Sequence, residues 1–500
     1  SESSGCRAEM LLKGSVELLN SLLVYSDEKD KLLIIKILHN FLQAPLTLSL
    51  SAFETATLIT ANIVAETSYI STIQYCAACF HIVTKEKLRG QRHLASAIIT
   101  AMSILLKSDD AITQFFGISS AGNLFFENLC DDDEKIEQLV KFFVENGSGI
   151  KDPAAKQALA LALAKLSQEN KYLEVIEKLQ LLSKVLRLLM DLREAHRDSL
   201  LLQESCCIAI CRISLRMKDE ITDDGRLRIA EIFLDMLQTN DQYVLTSTIS
   251  GIRALGSSGL CHKELLSDKG LLPKIASIVN RFNHEIELCR YGCAVLAVFS
   301  YDLSAHDILA ERTILNVLFA NINSDDAITR ELVANTVCNL SMHAVACQTM
   351  ISMNVVEVLG QLSSSTSETI LDLCAKSLCN LTCFPELHKQ VIQNHVLEIL
   401  LMISLVRTVS SQTKCNCAKA LLNLVTDENL LFITNSGAVR IFASLSTTPF
   451  PPVQSVCSKG FHVLTSNRLR RGEVVKVRTV VQSLYHMMKS AATTMSSNVK

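Results

Sequence analysis

The stretch CAKSLCNLT at residues 374–382 returns forty-three residues later, with few changes, as CAKALLNLV at residues 417–425. A fixed repeat distance of roughly 20 to 50 residues is typical of chains built from stacked units. The leucine after the shared asparagine marks an anchor position that recurs along the chain, with gaps of 40 to 47 residues and a mean near 42. The eleven anchors are all apolar: Phe41, Val83, Leu124, Leu166, Ile213, Leu255, Phe299, Leu340, Leu381, Leu424 and Leu464.

The composition predicts helices packed on helices. Of the 500 residues, 49% are hydrophobic and only 5% aromatic, and 17 glycines and 7 prolines leave few places to break the chain. Such usage favours an all-α fold. No apolar run reaches the roughly 18 residues of a membrane span. The formal net charge of -3 gives no general basic surface, so nucleic acid is not an expected partner.

Each unit is predicted to end in a helix of about four turns. A polar pair precedes several anchors by about fifteen residues, and its side chains can accept hydrogen bonds from the free N–H groups at a helix start. A second amphipathic stretch lies before the pair, as in VELLNSLL at residues 16–23. Two long helices and a shorter leading one therefore fill each unit. The polar pairs are Ser26-Asp27, Ser108-Asp109, Asn240-Asp241 and Ser324-Asp325.

One continuous solenoid is expected to occupy residues 1–489. The gap of 47 residues between Leu166 and Ile213 predicts an insertion near residues 190–199. Residues 490–500 have no periodicity, and we expect them to form a flexible tail. Because residues 16–23 have the pattern of a second helix, we expect further repeats before residue 1.

The 18 cysteines are predicted to be buried free thiols. They lack the compact spacing of a disulfide framework, which favours a reducing, intracellular compartment. Many of them lie seven or two residues before an anchor, where other units have aliphatic residues such as Ile34 and Leu422. Metal ligands converge on one point, whereas equivalent residues of stacked units do not, so neither a metal site nor a cofactor is expected. These columns contain Cys76, Cys206, Cys374, Cys417 and Cys457, and Cys211, Cys338 and Cys379.

No motif in the chain predicts an enzyme. HEIEL at residues 284–288 begins like a zinc-peptidase helix, but Leu288 stands where the second histidine is needed. GISSAG at residues 117–122 has two glycines of a phosphate loop without the lysine that should follow. A small-molecule substrate is therefore not expected.

The order of elements in each unit resembles the armadillo repeat. A turn with glycine, an apolar helix, a polar cap and a helix of the form A-x-x-x-L-x-N-L follow one another, and poorer copies also resemble the HEAT repeat. The resemblance covers nearly the whole chain in about eleven repeats. It implies an all-α, right-handed solenoid of about eleven three-helix repeats, whose third helices line a groove for extended partners. The best copies are SGAVRIFASLS (436–446), ANTVCNLS (334–341), AKSLCNLT (375–382) and AKALLNLV (418–425).

Two columns of each third helix, one and five residues before the anchor, are predicted to face the groove. The resemblance implies that asparagine in the first column binds the backbone of an extended peptide, to which an amide offers a donor and an acceptor. In importin-α the second column carries tryptophan. This chain has no Trp and carries Lys376, Lys419 and Lys459 there, which is closer to β-catenin, whose groove lysines engage acidic segments. The predicted partner-binding residues are Asn335, Asn339, Lys376, Asn380, Lys419, Asn423 and Lys459.

The resulting hypothesis is a non-enzymatic cytoplasmic scaffold or adaptor that binds an extended, acidic segment of another protein. The alternative to a binding role is that these polar residues form an ordinary solvent-exposed helix face. An alternative function is a structural component of a cytoskeletal, ciliary or axonemal assembly, and a third, nuclear transport, is disfavoured by the absent tryptophans. A basic patch near the end is a candidate contact for acidic tubulin tails, phosphate or nucleic acid, with a solvated loop as the simpler interpretation. It consists of Arg468, Arg470, Arg471, Lys476 and Arg478.

Overall fold

The computed structural model shows an all-α chain. Every regular element in the described ranges is a helix, and no strand occurs among them. None of these helices combines the length and the hydropathy that a membrane crossing requires. The predicted basic patch and the predicted tail lie outside the described residues. The structure describes residues 14–43, 48–86, 88, 91, 93–126, 133–268 and 270–466.

The helices form two compact units, and unit 1 ends at Cys261. A short 3-10 turn at Gly147–Gly149 interrupts the α-helices of unit 1. Its helices are α1 (Ser15–Leu23), α2 (Glu28–Leu42), α3 (Leu50–Glu66), α4 (Ile70–Lys85), α5 (Leu94–Leu105), α6 (Ala111–Phe126), α7 (Asp133–Asn146), α8 (Pro153–Leu166), α9 (Asn170–Lys178), α10 (Leu182–Ala195), α11 (Leu200–Arg216), α12 (Asp223–Met236) and α13 (Gln242–Ser258).

Unit 2 begins at His262. Three 3-10 turns, Leu303–Ala305, Asn321–Asn323 and Pro385–Leu387, lie between its helices. The helices are α14 (His262–Ser267), α15 (Leu271–Arg281), α16 (Ile286–Phe299), α17 (His306–Leu309), α18 (Arg312–Ala320), α19 (Ala327–Leu340), α20 (Ala344–Ser352), α21 (Val355–Leu362), α22 (Glu368–Leu381), α23 (His388–Gln393), α24 (Val396–Leu405), α25 (Ser411–Leu424), α26 (Leu430–Asn435), α27 (Ala438–Ser446) and α28 (Pro451–Ser466).

The helices that carry the anchors stack on one another in chain order. In unit 1 this layer runs from α2 through α4, α6, α8 and α11 to α13, and in unit 2 from α16 through α19, α22 and α25 to α28. All eleven anchor side chains are fully buried. A unit of this kind cannot cover its own apolar faces, so each repeat is stabilised by its neighbours. The anchor periodicity therefore predicts the core of both units correctly.

The prediction of three helices per repeat fits unit 2, whereas most repeats in the described part of unit 1 show two helices. In unit 2 two helices of 4 to 11 residues each precede each third-layer helix, from α14 to α28. In the described part of unit 1, a separate short helix precedes the second helix only at α9. From α3 onward the second helices of unit 1 have 12 to 17 residues, against 8 to 11 in unit 2.

The polar pairs before the anchors do cap helices, with a shift of one residue in two cases. Asp27 and Asp241 accept hydrogen bonds from backbone N–H groups at the starts of α2 and α13. At α6 and α19 the cap is the next residue, Asp110 or Asp326. There the preceding serine forms a local turn, as when Ser324 Oγ accepts the hydrogen bond of the N–H two residues later at 3.2 Å, which moves the helix start by one position.

The residues near 190–199 lie in the last turns of α10 and in the turn that follows it. Helix α10 has 14 residues, as α7 and α12 have, so the extra length of this repeat lies in the short helix α9 that precedes it. Arg193 is 2% exposed and pairs with Asp235, while Arg228 bridges Asp191 at 3.0 Å and Glu194 at 3.1 Å. These ion pairs attach α10 to α12.

Fourteen of the sixteen described cysteines are buried, and Cys383 is exposed. Burial raises the pKa of Cys374 and Cys457 to about 12, so these thiols remain neutral and pack as small apolar groups. In the described ranges no cluster of three His, Cys, Asp or Glu side chains is arranged to hold a metal ion.

Candidate binding face

The seven residues predicted to bind a partner lie on four consecutive third helices of unit 2. Helix α19 carries two asparagines, α22 and α25 each carry one lysine and one asparagine, and α28 carries one lysine. Because these helices pack in chain order, equivalent side chains follow one another across the layer. We call this set the asparagine–lysine face: Asn335, Asn339, Lys376, Asn380, Lys419, Asn423 and Lys459.

Three of its asparagines are hydrogen-bonded to the preceding repeat in the same way. In each case the amide nitrogen Nδ2 donates to the side-chain hydroxyl of the residue directly after the preceding anchor. The three bonds are Asn339 to Ser300 at 2.8 Å, Asn380 to Ser341 at 3.0 Å and Asn423 to Thr382 at 3.3 Å.

These hydroxyl groups fix which end of each amide points toward the preceding repeat. Each hydroxyl donates its single hydrogen to a carbonyl of its own helix, at 2.7 Å from Ser300, 2.6 Å from Ser341 and 2.8 Å from Thr382. A hydroxyl that has donated its hydrogen can only accept further bonds. The nitrogen of each asparagine must therefore face it, and the amide oxygen Oδ1 points away from the preceding repeat.

The three amides differ in how open they are. Asn339 is 6% exposed, so its amide supports the packing of α19 on α16. Asn380 and Asn423 are half-buried. Among the described residues, neither of their Oδ1 atoms accepts a hydrogen bond. The face thus offers two half-buried amides, each with an acceptor that is free among the described residues. Nδ2 of Asn423 also lies 3.5 Å from the backbone oxygen of Cys379 and 3.4 Å from Cys383 Sγ.

The three lysines of the face are exposed and have no carboxylate within 4.0 Å in the part of the chain that the structure describes. Asp372 lies one helical turn before Lys376, but its Oδ1 accepts a hydrogen bond from Thr413 of the next repeat at 2.8 Å. Asp372 therefore bonds to the next repeat and forms no direct ion pair with Lys376.

An aromatic side chain lies at the α19 end of the face, which the sequence reasoning missed. Asn335 Nδ2 donates to the hydroxyl of Tyr301 at 2.9 Å, so the tyrosine side chain reaches from the end of α16 to α19. Tyr301 is 70% exposed, and Met342, at the equivalent position of the next repeat, is 54% exposed. The face is therefore apolar at one end and positively charged at the other.

The residues that hold the amides are themselves held by the following short helix. His306 Nε2 donates to the backbone oxygen of Ser300 at 2.8 Å, and His388 Nε2 donates to that of Thr382 at 2.8 Å. Both histidines are buried, at 1% and 4% exposure. In the repeat between them the thiol of Cys347 contacts the backbone oxygen of Ser341 at 3.1 Å. The end of each third helix is thus fixed from two sides.

Polar residues at the equivalent positions of unit 1 form hydrogen bonds with neighbouring repeats. Asn123 donates from Nδ2 to Thr84 at 3.3 Å, and its Oδ1 accepts a hydrogen bond from Lys165 of the next repeat at 3.2 Å. One repeat further, Arg212 donates to the backbone oxygen of Gln168 at 2.8 Å. These side chains connect neighbouring repeats of unit 1, so the interpretation as ordinary structural residues applies to them.

Unit 1 also contains a crevice of about 470 Å³ between α5 and α7. Ile99, Leu106 and Phe142 are among its apolar lining residues, and Lys107 and Glu145 are among its charged ones. Lys141, also in the lining, pairs with Glu137 of its own helix. The crevice lies on the side of the second helices, away from the residues of the third-helix layer.

Comparisons with known proteins show the fold. No family model and no curated protein sequence matches the chain. An engineered protein of known structure is similar over 82% of this chain and 98% of its own length, with 18% identity and a TM-score of 0.62. Two designed armadillo repeat proteins, one solved with a (KR)4 peptide, are similar over 46% of this chain and 98% of their own lengths, with 17% and 15% identity and TM-scores of 0.41. The chain is thus an all-α solenoid built from helical repeats.

Proposed function

We propose that the asparagine–lysine face of unit 2 binds an extended, acidic segment of another protein. The observation that carries the proposal is the combination of two open amides, at Asn380 and Asn423, with three exposed lysines that lack a carboxylate partner in the described chain. An amide can bind the N–H and the C=O of one peptide residue at once. Ammonium groups beside it favour carboxylate side chains.

The dimensions of the face suit a short extended segment. Packed helices lie roughly 8–10 Å apart, and an extended chain advances about 3.3 Å per residue. The path from α28 to α19 crosses three such intervals, which corresponds to roughly eight to ten residues. Each hydrogen bond contributes about 1 kcal/mol and each exposed ion pair about 0.2–1 kcal/mol, so we expect moderate affinity that weakens with salt.

Charge reversal tests the proposal. The probe is a capped ten-residue poly-glutamate with a fluorescent label, and its binding to the full chain is followed by fluorescence anisotropy. Lys376→Glu together with Lys419→Glu replaces two attractions by two repulsions, about 1 kcal/mol each, so we expect at least about a tenfold loss of affinity.

The matched control has the same charge change elsewhere in unit 2. Lys263 and Lys389 are exposed on the short first helices α14 and α23, outside the third-helix layer. Lys263→Glu together with Lys389→Glu should leave the affinity within about twofold, because exposed charges beyond a Debye length are screened. Equal losses in both double variants, or no binding by the unmodified chain, would refute the proposed function.

A further inference from the structure

We propose that Cys379 and Cys383, at the C-terminal end of α22, are a redox-active thiol pair that a hydroperoxide converts to a disulfide, and that this disulfide weakens binding at the asparagine–lysine face. The formation of the disulfide is independent of the proposed function. Its effect on binding rests on that function and adds a form of regulation to it.

Cysteines four residues apart occur three times in the sequence, and one of these pairs is open to solvent. In that pair Cys383 is exposed and Cys379 is half-buried, whereas both thiols are buried in each of the other two pairs. A hydroperoxide in solution therefore reaches Cys383 ahead of the buried thiols, because oxidation of a cysteine requires access to its sulfur. The three pairs are Cys207 and Cys211, Cys289 and Cys293, and Cys379 and Cys383.

The two thiols of the open pair lie one helical turn apart. Cys379 is in the last turn of α22, and the backbone N–H of Cys383 donates to the backbone oxygen of Asn380 at 3.0 Å, which continues this turn. Four residues of helix separate two Cα atoms by about 6 Å, a distance that a disulfide can span. Cys383 Sγ lies 3.3 Å from the backbone oxygen of Cys379, so its side chain is directed toward the turn that carries Cys379.

The reaction consumes one hydroperoxide, such as hydrogen peroxide, in two steps. The sulfur of Cys383 attacks the O–O bond and keeps one oxygen as a sulfenic acid, and the first water leaves. The sulfur of Cys379 then attacks the sulfenic sulfur, the S–O bond breaks, the S–S bond forms and a second water leaves. Burial, and after it the neighbouring Cys383 thiol, raise the pKa of Cys379 to about 11. Cys379 is therefore a poor nucleophile toward free peroxide and acts on the sulfenic acid one turn away.

Asn423 connects this thiol pair to the asparagine–lysine face. Its Nδ2 lies 3.4 Å from Cys383 Sγ and 3.5 Å from the backbone oxygen of Cys379. A disulfide draws Cys383 Sγ toward Cys379 and shifts the turn against which this amide rests, so Oδ1 loses the fixed direction that a peptide N–H needs. Lys419 keeps its charge, so we expect binding of poly-glutamate to weaken by about threefold or more without being abolished.

Peptide mapping tests the formation of the disulfide. The reduced full chain is treated with hydrogen peroxide and then with catalase, denatured, alkylated and digested with trypsin, which releases both thiols in one peptide, residues 377–389. We expect this peptide to be lighter by two hydrogen atoms and to carry no alkyl group, while Cys289 and Cys293 remain fully alkylated. In the Cys379→Ser variant the sulfenic acid of Cys383 should persist and react with dimedone. A linkage from Cys383 to Cys347, equal oxidation of both pairs, or no disulfide at all would overturn the proposal.

Fluorescence anisotropy with the labelled poly-glutamate tests the effect on binding. Peroxide should weaken binding by the unmodified chain about threefold or more, dithiothreitol should restore it, and the Cys383→Ser variant should bind equally before and after peroxide. A complete disulfide with unchanged affinity would overturn the regulatory part alone. If the reduced chain did not bind poly-glutamate, the proposed function and its regulation would both be refuted, while the peptide map would still decide whether the thiol pair is redox-active.

Discussion

Asp326, which caps helix α19, should stabilise the folded chain by an amount that can be calculated from its contacts. Asp326 accepts hydrogen bonds from the backbone N–H of Thr329 at 3.0 Å and from its hydroxyl at 2.6 Å. Two nitrogens of Arg290, on the preceding third helix, bind the same carboxylate at 2.9 and 3.0 Å. These contacts, first of all the arginine, lower the pKa of Asp326 from 3.8 to about 2.

The sign of the pH dependence follows from the lowered pKa. A carboxyl group whose pKa is lower in the folded state stabilises that state above the pKa of the unfolded chain, near 3.8, and loses this contribution as the pH falls toward about 2. The pKa difference corresponds to at most about 2.4 kcal/mol. Because Asp326 is partly exposed to solvent, its contribution to the free energy of unfolding is smaller, and we expect about 1–2 kcal/mol at neutral pH. About two thirds of this contribution is lost at about pH 2.5.

Hydrogen exchange of residues 321–340, measured by mass spectrometry, tests this expectation locally. Asp326→Asn should lower protection about five- to thirtyfold at about pH 7 and by much less at about pH 2.5. Asp241→Asn is the matched control, since Asp241 caps α13 and forms no ion pair among the described residues; protection should change little at either pH, because asparagine caps a helix about as well as aspartate. A deficit at Asp326→Asn that is the same at both pH values would refute the reasoning.

Three further outcomes are expected. Gly460→Ala should lower the stability of unit 2 by about 1–3 kcal/mol, measured by thermal unfolding, because the added Cβ would lie 2.4 Å from the buried ring of Phe442; an unchanged melting temperature would contradict this packing. Brief treatment of the native chain with iodoacetamide should label Cys383 and leave Cys374 unlabelled by peptide mass mapping, since burial raises the pKa of Cys374 to about 12; rapid labelling of Cys374 would count against the buried core. Asn339→Ala should lower stability and change the affinity for poly-glutamate by less than about twofold, because that side chain is only 6% exposed; a large affinity loss at full stability would contradict its supporting role.

The repeat core was predictable because the buried anchor residues recur at a single period of about 42 residues. Anchors such as Leu381 are apolar in every copy and all are buried, so the stacking of third helices follows from the spacing alone. The division into two compact units was missed, since no change of composition marks it. The two-helix repeats of unit 1 were also missed, because the length of a second helix depends on packing rather than on the anchor period.

The candidate face was predictable in its residues but not in its geometry. The asparagine and lysine columns stand out in the sequence, yet the sequence does not tell that Asn339 is covered and Asn380 is open. The residue after the anchor is a serine or a threonine in several repeats, as at Ser300, Ser341 and Thr382, and this recurrence is the sequence signal for the hydroxyl that orients the amide. Tyr301 carried no signal, because no other repeat has tyrosine at that position.

The proposed binding site is tested most directly by a crystal structure of the full chain with the capped ten-residue poly-glutamate bound. We predict that the peptide backbone donates to Oδ1 of Asn380 and Asn423 at about 3 Å, with carboxylates beside Lys376 and Lys419. A peptide bound elsewhere on the chain, or one whose backbone does not contact either amide, would contradict the claim that this face is the binding site.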